Sequence, residues 1–446
     1  MNINEIKKLI FEAGVVGAGG AGFPTHKKIP DKVKTIIINA AECEPLLNVD
    51  IFILNRYFKE LVQTLELILN AMEAEQGIIA VKSKNIKYLE NANELITKTS
   101  KIQIKQIADI YPAGDEVVLT YEVTGKVIPE GNIPLSIGVV VLNVETLFNI
   151  KKAIEGYPVF YKYLTVTGCI QQPVTLYVPI GTPFTQVLES AGVTDLSEYD
   201  VIVGGPIMGN ICDPKKEYVT KTTKGIVILP SEHSVIQKKK LKVETAYKRA
   251  SAACCQCRAC TDMCPRYLLG YSIEIHKTIR SVVNDITMDT QPYMASQLCS
   301  ACGVCDFMAC TQDITPRSIC SEVKNRMMQQ GLKFSNGKSP EKARPEREYR
   351  MVPAQRLLER CGLAKYDKKA NFVDVPMAVK TVTISLKQHI GKPAEPVVKT
   401  GDSVIAGQLI AKIEANDVGA NIHASINGLV IQADDKCIVI MGGKSI

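Results

Sequence analysis

The sequence predicts a multidomain protein of mixed α/β and α+β class. Its 446 residues exceed what a single hydrophobic core usually organises. The residue pattern also changes character along the chain. Apolar strands alternate with helical runs over 1–155, and short strands bounded by Gly and Pro fill 160–232. A helical segment carries grouped cysteines over 240–332, a charged linker with one helix (Ala354–Cys361) spans 333–373, and a second all-β stretch occupies 374–446. Hydrophobic residues at 46% and charged residues at 22% are the balance of a globular chain.

The first block opens with a short helix over 5–12, with Ile6, Leu9 and Ile10 on one side. A run from Gly14 to Thr25 comes next, in which Gly17, Gly19 and Gly22 satisfy G-x-G-x-x-G and Glu42 lies 20 residues beyond. Without Cβ bulk, such a loop can turn its amides inward and cradle a phosphate. A dinucleotide fingerprint requires strand, glycine turn and helix in that order. Here a helix precedes the glycines and the strand Thr35–Ala40 comes after them, with Pro24 and Pro30 between, so the ordinary Rossmann reading is rejected. Helices over Leu61–Met72 and Ile86–Lys98, with strands over Gly77–Val81 and Gly138–Leu142, make an α/β layered domain.

The second block reads as short strands (TVTGCI, VTLYVPIG, VIVGGPIMG, GIVILP) interrupted by one helix, Pro183–Ala191. Cys169 and Cys212 lack metal spacing and are expected as buried apolar cysteines. Lys238–Lys240 read as a solvated basic run in the linker to the next block.

The third block carries the strongest chemical signal. Cys254, Cys257, Cys260 and Cys264 are spaced C-x2-C-x2-C-x3-C and followed by Pro265, and Cys299, Cys302, Cys305 and Cys310 are spaced C-x2-C-x2-C-x4-C. The first run is the bacterial pattern for a [4Fe–4S] cluster, and two runs imply two clusters. A zinc site would use two CxxC pairs, and a third Cys at the same spacing is surplus to it. Where two clusters share a domain, the fourth Cys of each run ligates the other cluster. Cys254, Cys257, Cys260 and Cys310 then hold one, and Cys299, Cys302, Cys305 and Cys264 the other. The second run has four residues before Cys310 and Thr311 in place of proline, which leaves Cys320 as an alternative eighth ligand and Cys255 as a spare. Helices are expected over Thr245–Ala253, Tyr271–Asn284 and Ile319–Gln330, with His276 a structural residue on the middle one.

Bulk features exclude several classes. No stretch approaches the ~18–20 apolar residues of a membrane helix, and the N-terminus lacks a signal-peptide core, so a cytoplasmic protein is expected. In that compartment 15 cysteines grouped this way mean metal rather than disulfides. Trp is absent and aromatics make up 6%, which speaks against a nucleic-acid stacking surface.

The string GAGGAGFPTHKK followed by INAAECEP resembles the flavin-binding subunit of respiratory complex I and, more closely, the RnfC electron-input subunits. YPAGDE at 111–116 and VLNVETL at 141–147 resemble further motifs of those proteins, in the same order. The resemblance implies an FMN site built by Gly17, Gly19, Gly20, Ala21, Gly22 and Phe23, with Lys28 reaching the flavin phosphate. It assigns Asn39, Glu42, Glu44, Tyr111, Gly114, Asp115, Glu116, Asn143, Val144 and Thr146 to the same site, Glu44 facing NADH. Ala41 stands where the flavin-binding protein of complex I has aspartate. The second block resembles the SLBB β-grasp module. The last resembles a lipoyl-like barrel-sandwich, but its turn Ala415–Ala420 has no carrier lysine. That module trails at the C-terminus, the order of the PduS-type cobalamin reductases, whereas RnfC carries it ahead of the flavin domain.

This likeness implies an NADH-dependent reductase using FMN and two [4Fe–4S] clusters, with a corrinoid or an adenosyltransferase as acceptor. It also implies a microcompartment setting with shell or pathway partners, and leaves a homo-oligomer open. Alternatives are an RnfC-type subunit of a membrane complex, or a non-enzymatic electron conduit of a microcompartment shell.

Overall fold

The computed structural model describes residues 1–89, 96, 101–335, 337 and 339–443. The first block is built on a four-stranded parallel sheet in the order Ile102–Ile107, Gln76–Lys82, Thr35–Ala40, Val139–Asn143. Its central strands, QGIIAVK and TIIINA, are near-continuous apolar runs because both faces are covered. Alternation sends Ile36 and Ile38 into one core with Ile6, Leu61, Leu65 and Leu147, and Ile37 into another with Leu119 and Val141. The first helix, Ile3–Glu12, starts on a reciprocal cap: Glu5 N donates to the Asn2 side chain at 2.9 Å and Asn2 N to the Glu5 carboxylate at 2.8 Å. The glycine-rich loop comes after this helix and precedes the strand Thr35–Ala40, the order that rejects a Rossmann site. Of the helix expected over Ile86–Lys98, the structure has a 3-10 helix at Ser83–Leu89, and most of the remainder lies outside the described residues.

The second block is a six-stranded mixed sheet in the order Asn371–Pro376, Val174–Pro179, Tyr161–Gly168, Gly225–Pro230, Tyr199–Val203, Asn210–Cys212. The helix Phe184–Ser190 packs Phe184, Val187 and Leu188 on Leu164, Val166 and Ile226. Three expectations are corrected here. The segment 333–373 is more than a linker: Val352–Pro353 pairs antiparallel with Ile110–Tyr111, and Asn371–Pro376 joins the six-stranded sheet parallel to Val174–Pro179. Lys238–Lys240 are not a free solvated run but end the helix Ser234–Lys240, with every ammonium engaged. Lys238 donates to Asp306 O at 2.9 Å, Lys239 to Ile207 O at 3.0 Å, and Lys240 to Asp200 at 2.7 Å. Cys169 and Cys212 are half-buried rather than buried.

The third block packs the helices Val243–Ala253, Ile275–Val283 and Pro316–Gln329 around the cysteine loops. The helix Glu116–Thr124 of the first block shares that core: Val117 and Val118 pack with Cys260 and Cys264, while Leu119 and Val123 pack under the parallel sheet. The C-terminal module pairs a four-stranded sheet (Thr381–Ser385, Cys437–Met441, Gly428–Ala433, Ser403–Val404) with a three-stranded one (Glu395–Pro396, Leu409–Lys412, Ile422–His423). Among the described residues, no helix is long and apolar enough to cross a membrane.

Candidate cofactor site

A cleft of about 360 Å³ opens where the first three blocks meet. Gly19, Gly20, Asn39, Glu42, Glu44, Gly114, Asp115 and Asn143 line it from the first block, all of them expected from sequence. The second block adds Gly204, Gly205, Met208, Thr222 and Lys224, and the third adds Ser300 and Cys302.

The glycine-rich loop is closed at its neck, where Gly17 N donates to Phe23 O at 2.9 Å and Val16 bridges Pro24. Gly19, Gly20, Ala21 and Phe23 stand exposed beyond that neck. A Cβ at Gly20 would meet nothing within 4 Å, whereas one at Gly19 would stand 2.8 Å from Asn143 Nδ2. Thr146 Oγ1 accepts the Ala18 N–H at 3.0 Å and anchors the loop from below. Val144 lies in the hydrophobic core, not in the cleft. Lys28 pairs with Glu116, and Asp115 caps the helix Glu116–Thr124 through Val117 N and Val118 N while pairing with Arg266 at 2.8 Å.

One end of the cleft is an interlocked charge network. Glu42 accepts the N–H groups of Asp50 at 3.1 Å and Ile51 at 3.2 Å, at the start of the helix Val49–Arg56. Lys224 reaches in from the second block to pair with Asp50 and lies 3.7 Å from Glu42. Asn143 Nδ2 donates to Asp50 Oδ2 at 2.9 Å. Burial raises Glu42 to about 7, against the pull of Lys224. Asp50 Oδ1 is buried without a hydrogen-bond partner although Asp50 borders the cleft. Asn39 Nδ2 donates to Gly114 O at 3.0 Å and ties the strand end to the second motif.

Glu44 is held on three sides. It accepts from Ile207 N at 3.0 Å and Met208 N at 3.1 Å, and the Tyr111 hydroxyl lies 3.1 Å away. Burial raises its pKa. Gly205 permits this closure, since a Cβ there would sit 2.0 Å from Glu44 Oε2. Tyr111 Oη also lies 2.6 Å from Cys302 O, so one side chain touches both the cleft carboxylate and a cysteine loop. Sequence reasoning missed Asp50, Thr222, Lys224 and the Gly204–Gly209 loop. The GGPIMG string is a usable signal for the last, although its apolar residues read as part of a strand.

The two cysteine runs share one backbone design. Gln256 and Arg258 have φ of +54° and +67°, and the matching Ala301 and Gly303 have +55° and +82°. These left-handed residues flank Cys257 and Cys302 and curl each loop in the same way. Cys254, Cys257, Cys260 and Cys310 border one void of about 30 Å³, with His276 beside them hydrogen-bonded to Thr261 Oγ1 at 2.9 Å. Burial, and then the neighbouring thiols Cys310, Cys254 and Cys257, push Cys260 up to about 12. Burial pushes Cys264 up to about 12, and the thiol that weighs most on it is Cys299. On Cys302, after burial, it is Cys264. Cys305 is raised by burial, with Cys299 and Cys302 among its neighbours. These thiols lie close to one another, and Cys264 also acts on Cys260, so the two runs pack as one cysteine cluster. Thiols crowded this way do not ionise together without a cation beside them, so the donor set fits iron. Among the described residues, no three His, Cys, Asp or Glu close on a point suited to a single metal ion. The glycine wall left open at Gly20 and the unpartnered acceptor of Asp50 likewise fit a phosphate-bearing ligand with donors to spare, such as FMN.

Family models match in the same places. The Nuo51 FMN-binding domain covers 10–152, a 4Fe-4S dicluster domain covers 253–315, and the RnfC barrel sandwich hybrid domain covers 364–443. A cobalamin reductase PduS from Citrobacter freundii is 37% identical over 98% of this chain and 96% of its own. The chain belongs to the PduS cobalamin reductase family. A second PduS, from Salmonella typhimurium, is 37% identical over 99% of this chain and 98% of its own. One component of the Na(+)-translocating ferredoxin:NAD(+) oxidoreductase complex of Acetobacterium woodii is 35% identical over 61% of this chain and 60% of its own. A chain of an NAD+-reducing [NiFe]-hydrogenase overlaps with a TM-score of 0.48 at 20% identity, covering 75% of this chain and 64% of that one. This PduS-family chain is therefore an oxidoreductase with an FMN domain and a two-cluster domain, and the last module, here at the C-terminus, is of RnfC type.

Proposed function

We propose that this chain oxidises NADH and delivers the electrons to a corrinoid. The observation that carries the reading is the composition of the cleft: glycines of the FMN-type loop and Cys302 of the second cysteine run line the same 360 Å³ space. When bound, FMN supplies the change from a hydride's electron pair to single electrons, and iron–sulfur clusters carry electrons singly. The chain's own residues do the rest. Gly20 leaves room beside the loop for a phosphate-bearing ligand, and Asp50 Oδ1, buried without a partner, would accept a hydroxyl or N–H of that ligand. Glu42, raised to about 7, can hold or release a proton at the cleft near neutral pH. Lys224 pairs with Asp50 at the edge of the cleft. Tyr111 joins Glu44 to the Cys302 carbonyl and so fixes the distance between cleft and cysteine loop.

The corrinoid rests on what the relatives matched over nearly their whole length are named for. An adenosyltransferase as partner and a bacterial microcompartment as location belong to the same proposal. Anaerobically purified protein should contain FMN and two [4Fe–4S] clusters, and should oxidise NADH with cobalamin as acceptor. Protein that holds both cofactors yet leaves cobalamin untouched would overturn the acceptor. Gly20→Val tests the flavin's placement. Its side chain has open space without a ligand, so the variant should fold, keep its iron and lose FMN. Stoichiometric FMN in that variant would move the flavin elsewhere.

A further inference from the structure

The C-terminal module has no carrier lysine, yet it packs against both ends of the glycine-rich loop. At the loop's start, the buried Lys221 places Nζ 2.6 Å from Gly14 O and 2.6 Å from Asn421 O. Gly14 opens the loop, Asn421 belongs to the C-terminal module, and Lys221 comes from the second block. Among the described residues this ammonium meets no carboxylate, and its backbone N–H donates to Gln388 Oε1 at 2.9 Å. At the loop's end, Ile390 N donates to Gly22 O at 3.3 Å and Lys27 Nζ to Ala415 O at 3.1 Å. Gly22 has φ +72°, and a Cβ there would stand 2.8 Å from Thr222 Cγ2 and 3.2 Å from Gln388 O. Ala415 lies in the turn where a lipoyl-type module would carry its arm. Here that turn receives a side chain from beside the loop instead.

We propose that the C-terminal module is a brace that holds both ends of the glycine-rich loop, with Lys221 as the positioning residue that joins module to loop. The middle of the loop, Gly19 to Ala21, is left exposed to take a ligand, with Phe23 exposed at its neck. A buried amine with two carbonyl partners is costly to leave unpaired, so Gly14 and Asn421 are kept apposed. A loop held in its bound shape loses less freedom on binding, so the brace sets flavin affinity without touching the flavin.

The inference rests on FMN occupying this loop, and the test separates the two. FMN dissociation is measured on the holoprotein for Lys221→Met, Gln388→Ala and Gly20→Val, with iron and sulfide content and with hydrogen exchange over residues 14–27. Lys221→Met should weaken FMN binding by about tenfold, equivalent to ~1.4 kcal/mol. Exchange should quicken over 14–27, with iron and sulfide unchanged. Gln388→Ala should do the same to a smaller degree, and it decides the matter should Lys221→Met fail to fold. Lys221→Met (or, in its stead, Gln388→Ala) with wild-type FMN affinity and wild-type loop exchange, while Gly20→Val loses its flavin, overturns the brace. Retention of flavin by Gly20→Val overturns the placement on which it rests.

Discussion

Cys310 and Cys320 compete for the eighth thiolate position. Cys310 borders the void with Cys254, Cys257 and Cys260. Cys320 is fully buried in the core beside Ile319, near thiols of both sets, Cys299 first and then Cys260, and does not border that void. Cys310→Ala should therefore lose about half the iron and Cys320→Ala should keep all of it, as metal and sulfide analysis would show. The reverse result would hand the position to Cys320. Lys221 makes a second test at this scale. Burial lowers it from 10.5 to about 7. The unfolded chain thus binds the proton more tightly, and between about 7 and 10.5 it holds more protons than the folded one, so this group makes stability rise with pH there. Its penalty is largest below the folded value and fades above it. His389 and His423 beside it have lowered pKa values, chiefly from burial, and are neutral in that window. Urea unfolding of wild type and Lys221→Met at about pH 7 and about pH 8.5 should give a smaller rise in the variant. An equal rise would assign it to other groups.

At the scale of elements, one buried ion pair joins the first block to the second. Lys162 on the strand Tyr161–Gly168 pairs with Glu145 on the helix Val144–Ile154, and both are almost wholly buried. Lys162→Met should cost ~3–5 kcal/mol, because buried Glu145 loses its ion-pair partner and keeps only the Tyr163 N–H at 3.3 Å, and adding Glu145→Leu should recover much of it. Denaturant midpoints of the single and double variants check this, and equal loss in both would make it a packing effect. The same elements show what the sequence could tell. The strand Thr35–Ala40 and the two cysteine runs are legible because their signals are local: an unbroken apolar run, and a spacing that sets how a loop curls. The helix Glu116–Thr124 is not. Its EVVLTYEVT buries apolar residues on two faces, Leu119 and Val123 toward the sheet and Val117 and Val118 toward the cysteine domain, so no single stripe remains to read. The strand Asn371–Pro376 is split between the expected linker, to 373, and the expected C-terminal module, because its partner strand lies about 200 residues earlier and nothing local encodes that pairing. Lys224 and the Gly204–Gly209 loop escape sequence reasoning for the same reason: they reach the cleft by tertiary packing. Motif places Glu42 and Glu44 at the site, but their hold on helix and loop amides becomes visible only in three dimensions.

Across the whole molecule the two cysteine sets stand at different depths. Cys302 borders the cleft and, like Cys264 and Cys305, is buried. Cys257 of the other set is exposed, with the spare Cys255 exposed beside it. A cluster held by Cys264, Cys299, Cys302 and Cys305 is thus the inner one, and a cluster held by Cys254, Cys257, Cys260 and Cys310 meets solvent. That order predicts a split in activities. Ferricyanide is a small oxidant that can draw electrons at the cleft, whereas a bulky corrinoid must meet an exposed donor. Cys257→Ala should lose about half the iron. It should keep NADH–ferricyanide turnover near wild type but lower cobalamin reduction by about tenfold or more, an effect on the second half of the path alone. Equal loss of both activities would mean that the exposed set also supports the cleft. Unchanged cobalamin reduction would mean that electrons leave from the inner set, and the Gly204–Gly209 loop over Glu44 would then become the face at which an acceptor has to dock.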